Sequence, residues 1–384
     1  MNFEFATASR ILFGSGTITK IGPLAAEFGK RAFIVLDSGA ALADLVIENL
    51  NRSGVETLIL SIDHEPEIQT VEQGVRLARQ HACNLVVGFG GGSAMDTAKA
   101  VAILATNPGE ILDYLEVIGR GQPLTVPPLP CIAVPTTAGT GSEVTRNAVL
   151  GAPQQRVKVS MRSPMMLPRL ALVDPQLTLS LPQSITAQTG LDALTQLIEP
   201  YVSIQPNPLT DSICREGIRR AARAIRTVYY EGEILPARED MSLASMFGGM
   251  ALANAKLGAV HGFAGVLGGM YGAPHGAICA RLLPEVMEVN VRALRERAAD
   301  SQALERYREV SQILNENSEA SVEDGVKWVR DLCSELNFPN LSALGIQKSD
   351  FLEIYEKAEL ASSMKGNPIR LSPDELGEIL DRAY

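Results

Sequence analysis

At 384 residues the chain is too long for one ordinary core, so two domains are expected. Apolar residues make up 46% and aromatics only 5%, the formal net charge is -10, and no run of lysine or arginine forms a stripe. Such a chain repels phosphate backbones and anionic lipid, which leaves no case for nucleic acid or a membrane as partner. Five scattered cysteines, odd in number and without a CxxC pair, point to reduced, mostly buried thiols of a cytoplasmic protein. "MNFEFATASR" lacks the basic start and apolar run of a secretory signal.

Up to about residue 180 short apolar runs alternate with helical patterns. "RAFIVLDSG" and "VETLILSID" read as strands, "TVEQGVRLARQHA" as a helix, and "CNLVVGFGGGS", "LPCIAVPTT" and "RLALVDP" as further strands. Strands interleaved with helices predict a parallel sheet covered on both faces. Beyond "LTLSLPQSITAQTG" the β-rich runs disappear. "LDALTQLIEPYV", "SICREGIRRAARAIRTVYY", "MSLASMFGGMALANA", "VEDGVKWVRDLCSEL" and "SPDELGEILDRAY" all carry apolar residues at three- and four-residue spacing, which predicts helices. Pro182 marks the expected boundary between residues 1–182, an α/β domain, and residues 183–384, an all-helical domain. The segment from Met246 to Tyr271 is apolar enough to suggest a membrane span, but it holds Lys256, His261 and many glycines, so close helix packing or loops are expected.

"GFGGGSAMDTAKA" sets Gly90, Gly91, Gly92 and Ser93 between a strand and a helix, where glycine lets backbone approach a ligand and a helix N-terminus offers N–H groups to an anion. A tight packing turn is the alternative. A second loop, "PTTAGTGSE", follows another strand and offers Thr136, Thr137, Thr140 and Ser142 as hydroxyl donors, and two such loops favour a nucleotide. Asp37 ends "AFIVLD". A carboxylate there accepts from ribose hydroxyls and repels a 2′-phosphate, favouring NAD over NADP, although a plain turn aspartate fits the same position.

Half of the chain's four histidines, His261 and His275, lie in "VHGFAGVLGGMYGAPHG". In "GLDALTQLIEPY", Asp192 and Gln196 share one helix face, four residues apart. Read alone, Asp192 also fits a helix's first turn, and a histidine in an apolar region also fits a core.

Together "GGGSAMDTAKA", "PTTAGTGSEVT", "LVDPQLTLSLP", "TGLDALTQLIEPYVS", "LGAVHGFAGVLGGMYGAPHG" and the C-terminal "GNP" resemble the iron-containing (group III) alcohol dehydrogenases of the dehydroquinate synthase-like superfamily, in order along essentially the whole chain. The resemblance implies a dinucleotide-binding α/β domain, an all-helical second domain and a cleft between them. It implies a divalent metal, Fe2+ or Zn2+, held by one aspartate and three histidines. Carried over by position, Asp192, His261 and His275 match, while Gln196 stands at the third histidine's place. A glutamine carbonyl oxygen is a weaker donor than imidazole. Gly265 stands where many members have a further histidine, and Glu65 replaces an asparagine often found there, so it is not counted as a cofactor ligand. By the same resemblance Gly91, Gly92 and Ser93 hold the pyrophosphate, Thr136 and Thr137 contact the cofactor, and Lys158 reaches the nicotinamide-side ribose. Asn147, Leu252 and Ser363 shape the substrate pocket.

The activity implied is reversible hydride transfer between NAD(H) and a small primary alcohol or its aldehyde, with Asp192, His261 and His275 as the catalytic metal set. A homodimer or larger homo-oligomer is expected. Three rivals stand beside it. One is a metal-independent NADH-dependent reductase of an oxo acid, like the maleylacetate reductases, in which Gln196, His261 and His275 bind substrate directly. Another is a non-redox, NAD-using cyclase of the dehydroquinate synthase type, which wants several basic residues in the C-terminal pocket, where the motif region from Asp192 to His275 offers few. The last is a plain NAD-binding sensor, which leaves the Asp/His set unexplained.

Overall fold

Apolar runs closed by turns build the strands of this chain, seen here in a computed structural model that describes residues 2–40 and 42–384. The strands are β1 (Ile11–Phe13), β2 (Arg31–Asp37), β3 (Glu56–Ile62), β4 (Leu85–Gly90), β5 (Cys131–Pro135), β6 (Asn147–Ala152), β7 (Val157–Arg162) and β8 (Leu170–Val173). Six of them form one sheet, paired in parallel throughout, in the order β1-β8-β5-β4-β2-β3. Side chains alternate between its faces as strand geometry requires. In β2, Phe33 and Val35 pack with the helices Ile68–Gln80 and Gly92–Leu104, whereas Ala32 and Ile34 pack on the opposite face with Ala43–Arg52. β4 is buried along its full length, which explains its unbroken apolar sequence.

The order of the strands decides where a ligand can go. From β2 the chain moves outward to β3, and from β4 it moves the other way to β5. The helices that follow β2 and β4 cover opposite faces. A crevice therefore opens at the carboxyl ends of β2 and β4, the switch point where doubly wound sheets bind nucleotides.

One element goes beyond the plain strand–helix alternation. β6 and β7 form an antiparallel hairpin whose Ala148, Leu150, Val159 and Met161 complete the core on the Phe33 face. The alternation in "NAVLGA" and "VKVSMR" is that of a half-buried strand pair.

From Gln183 onward the described residues form helices and turns without a strand. The long helices are Gln183–Val202, Pro208–Tyr230, Leu235–Asn254, Ala259–Tyr271, His275–Arg297, Gln302–Asn315 and Val322–Glu335. Among the described residues no single helix is long and apolar enough to cross a membrane; Leu235–Asn254 and Ala259–Tyr271 pass such a test only as a pair bent by 97°. The chain divides into two units. One is Ala6–Leu181 with Gly232–Ser242; the other is Pro182–Glu231 with Leu243–Tyr384 and the N-terminal residues through Phe5. Gly232–Ser242 belongs with the sheet, where Ser15 Oγ donates to Glu239 Oε1 at 2.8 Å.

Candidate functional site

In the sheet-bearing unit, both glycine- and threonine-rich loops leave neighbouring parallel strands, β4 and β5. Gly90 has φ +152°, and Gly91 caps the helix Gly92–Leu104 from extended backbone. No side chain caps that helix, so its first N–H groups face outward for an anion. A Cβ on Gly90 would fall 2.5 Å from Asp37 Cβ, and one on Gly92 would fall 2.8 Å from Thr140 Cγ2. Asp37 therefore closes one side of the turn and Thr140 the other. The Thr136 N–H donates to Gly90 O at 2.9 Å and ties the two loops together.

A buried polar network sits behind them. Lys99 Nζ donates to Ser142 O at 3.0 Å and Thr145 Oγ1 at 2.9 Å, and pairs with Asp96 at 3.0 Å. Ser142 Oγ donates back to Asp96, whose other oxygen accepts the Val149 N–H. Burial pushes the neighbouring Glu143 up to about 7, against the downward pull of its own backbone N–H and the Lys99 charge. Lys158 has its ammonium 2.5 Å from Glu65 Oε2. That pair follows from the docking of Pro66 on the hairpin, where Gly151 N–H donates to Pro66 O at 2.7 Å.

The second cluster lies in the helical unit and grows from three helices. Asp192, Gln196 and Glu199 occupy one face of Gln183–Val202. Asp192 is mid-helix and buried, so the first-turn reading of it fails. His261 enters from the start of Ala259–Tyr271, and His275 opens His275–Arg297. Glycine allows the approach at both helix starts. A Cβ on Gly276 would meet Gln188 O at 2.3 Å, and one on Gly258 would meet Glu199 Oε1 at 2.9 Å.

The ligand-type atoms converge. His261 Nε2 is 3.4 Å and His275 Nε2 3.6 Å from Asp192 Oδ1, and the two rings are 5.4 Å apart at their centroids. Glu199 holds His261 from behind, accepting from Nδ1 at 2.6 Å while its other oxygen accepts the Val260 N–H at 2.7 Å. Asn367, from the "GNP" motif, accepts the Ala259 N–H at 3.1 Å and exchanges amide bonds with Asn290. Asp192 Oδ1, Gln196 Oε1 and His261 Nε2 are buried without a hydrogen-bond partner. Asp192 Oδ1 and His261 Nε2, orphaned and 3.4 Å apart, are costly unless something positive joins them. In the absence of a cation the same negative charge draws protons. Burial disfavours both charged forms, yet Glu199 and Asp192 push His261 up to about 10, while His275 and His261 hold Asp192 below the usual carboxylate range. The donor set fits a divalent cation.

Residues 8–175 match the family profile described as iron-containing alcohol dehydrogenase, and residues 186–384 match that of the Fe-containing alcohol dehydrogenase family, C-terminal. This chain belongs to the iron-containing alcohol dehydrogenase family. It is 33% identical to the 1,3-propanediol dehydrogenase of Citrobacter freundii, over all of this chain and 99% of that one. It is 34% identical to the choline dehydrogenase of Bacillus subtilis (strain 168), over all of this chain and 94% of that one. A crystal structure of 1,3-propanediol oxidoreductase superposes with a TM-score of 0.93 at 33% identity, covering both chains fully. As a member of this family the chain is an NAD-dependent alcohol dehydrogenase, with a parallel-sheet α/β unit and a helical unit.

Among this alcohol dehydrogenase's expected site residues, Asp37, Gly91, Gly92, Ser93, Thr136 and Thr137 lie at the switch point of the sheet, and Lys158 lies on the β6–β7 hairpin, paired with Glu65. Asp192, Gln196, His261 and His275 come together in the helical unit. Asn147 opens β6, Leu252 lies on Leu235–Asn254, and Ser363 precedes a short turn of 3-10 helix; all three are partly exposed. Gly265 has open space where a side chain would stand. Glu199, seven residues after Asp192 on the same face, and Asn367 of "GNP", which anchors the His261 helix, join the expected residues only in the folded chain; the i, i+7 spacing is the one local signal for Glu199.

Proposed function

We propose that this alcohol dehydrogenase reduces a small aldehyde to its primary alcohol, and runs the reverse oxidation, with NAD(H) and a divalent metal held by Asp192, Gln196, His261 and His275. The balance is aldehyde, NADH and one proton against alcohol and NAD+. Two buried ligand-type atoms without hydrogen-bond partners, Asp192 Oδ1 and His261 Nε2, 3.4 Å apart with His275 beside them, carry the metal assignment. A cation held there supplies Lewis-acid polarisation of the substrate oxygen.

The protein's own groups do the rest. Gly91, Gly92 and Ser93 offer backbone N–H groups to the pyrophosphate, and Asp37 accepts from the ribose hydroxyls. Thr136 and Thr137 line the same turn. Glu199 holds the proton on His261 Nδ1 and so leaves the Nε2 lone pair for the cation. With glycine at 265, no imidazole from that position relays the substrate proton, which travels through water or cofactor hydroxyls. Asn147, Leu252 and Ser363 are assigned to the substrate pocket, and assembly as a cytoplasmic homo-oligomer belongs to the same proposal.

The test is NADH oxidation against a panel of small aldehydes, before and after dialysis with a chelator. Loss of activity with recovery on adding Fe2+ or Zn2+ is expected. Full activity after chelation, with no metal retained, would move Gln196, His261 and His275 to direct substrate binding and make the metal-free reductase the leading reading, with oxo acids as the next substrates to test.

A further inference from the structure

Gln196 leaves the ligand set one imidazole short, and a sulfur stands close by. Cys279 lies one helical turn beyond His275 on the same helix and is fully buried. Its Sγ is 3.7 Å from His275 Nε2, and single ligand atoms of Asp192, His261, His275 and Cys279 all lie within 4.8 Å of one another. Among the described residues no other group of three or more His, Cys, Asp or Glu side chains gathers this way. We propose that the Cys279 thiolate, in the place given above to Gln196, is the fourth ligand of the metal, completing an Asp192–His261–His275–Cys279 set that favours zinc over iron. This rests on the metal-dependent reading above.

The spacing fits four-coordination. Zinc bonds of about 2.0–2.2 Å to nitrogen and oxygen and about 2.3 Å to sulfur give tetrahedral edges of roughly 3.3–3.7 Å. Three of the six donor–donor edges are 3.4 Å, 3.6 Å and 3.7 Å, and the whole set of ligand atoms lies within 4.8 Å. Octahedral packing at similar bond lengths would bring neighbouring donors to roughly 3 Å. The orphaned Asp192 Oδ1 and His261 Nε2 point to a cation independently of the cysteine. Replacing a neutral, weak carbonyl donor by a thiolate changes which ion the site prefers, because soft sulfur favours zinc. The thiol proton leaves to solvent as the metal binds.

The experiment strips the full-length protein with a chelator, reloads it with Co2+, and records absorbance. A stoichiometric cobalt complex with a near-ultraviolet sulfur-to-cobalt charge-transfer band is expected, and Cys279→Ser should lack that band. In chelator competition the variant should bind Zn2+ at least about 10–100-fold more weakly, the loss that even an outer partner causes, with a smaller loss for Fe2+. Stoichiometric cobalt without the band, or a band that survives Cys279→Ser, overturns the cysteine assignment and leaves the metal-dependent reading intact. Protein that takes up neither Co2+ nor Zn2+ overturns both. Should Cys279→Ser not fold, Cys279→Ala, which keeps the position apolar, supplies the same comparison.

Discussion

Glu199→Gln changes almost no volume, yet it should disable His261 as a ligand. The carboxylate now accepts twice, from the Val260 N–H at 2.7 Å and from His261 Nδ1 at 2.6 Å. If the new amide keeps its oxygen on Val260, its NH2 faces Nδ1, and two donors oppose each other. His261 then has to carry its proton on Nε2, the atom that lies 3.4 Å from Asp192 Oδ1 and is meant for the cation. Turning the amide over only moves the clash to the Val260 N–H. Each choice leaves one buried mismatch, about 1–3 kcal/mol, which corresponds to the 10–100-fold loss of metal affinity typical of an outer partner. In metal-free protein the same change removes the largest upward influence on His261. Burial still disfavours its imidazolium, so the ring should release its proton well below the present value of about 10. Zinc competition titration and imidazole nitrogen NMR on both proteins measure the two effects. A Glu199→Gln protein that binds zinc like the native one, with the proton still on Nδ1, would refute the reasoning.

Asp37→Gly should raise NADPH use relative to NADH, because the carboxylate, 3.9 Å from the position of a Gly91 Cβ, would otherwise face a 2′-phosphate; an unchanged cofactor ratio in steady-state kinetics counts against that role. Gly92→Val should abolish NADH binding by calorimetry while far-UV circular dichroism stays native, since the added carbon starts 2.8 Å from Thr140 Cγ2 and fills the pyrophosphate's space; near-normal affinity would displace the phosphate site. Glu143 titrates higher folded than unfolded, so its contribution to stability is full below about pH 4.5 and disappears as pH rises through about 7. Urea melts from pH 5 to pH 9, a range chosen on the order of that window, should show roughly 3 kcal/mol of this loss, and Glu143→Gln should flatten the slope.

Much of this protein is legible in its sequence. The apolar runs of β2 to β5, the glycine turn after β4 and the periodic helices are local patterns, and each forms where backbone geometry and burial favour it. Asp192 and Gln196 share a helix face by spacing alone; the alternation of the β6–β7 hairpin is there too, although neither strand is among those expected from the apolar runs. Tertiary structure decided what those patterns meet. Glu199 reaches His261 across 62 positions, and Asn367 reaches Ala259 across 108. Lys158 pairs with Glu65 because Pro66 docks on Gly151. Cys279 looks like any buried thiol until Gly276 lets its helix close on Gln188 and carries His275 and the sulfur toward Asp192. Hydrophobic spacing fixes which face of a helix is buried; which buried side chains then touch depends on how closely and at what angle two such faces pack, and no single segment contains that information.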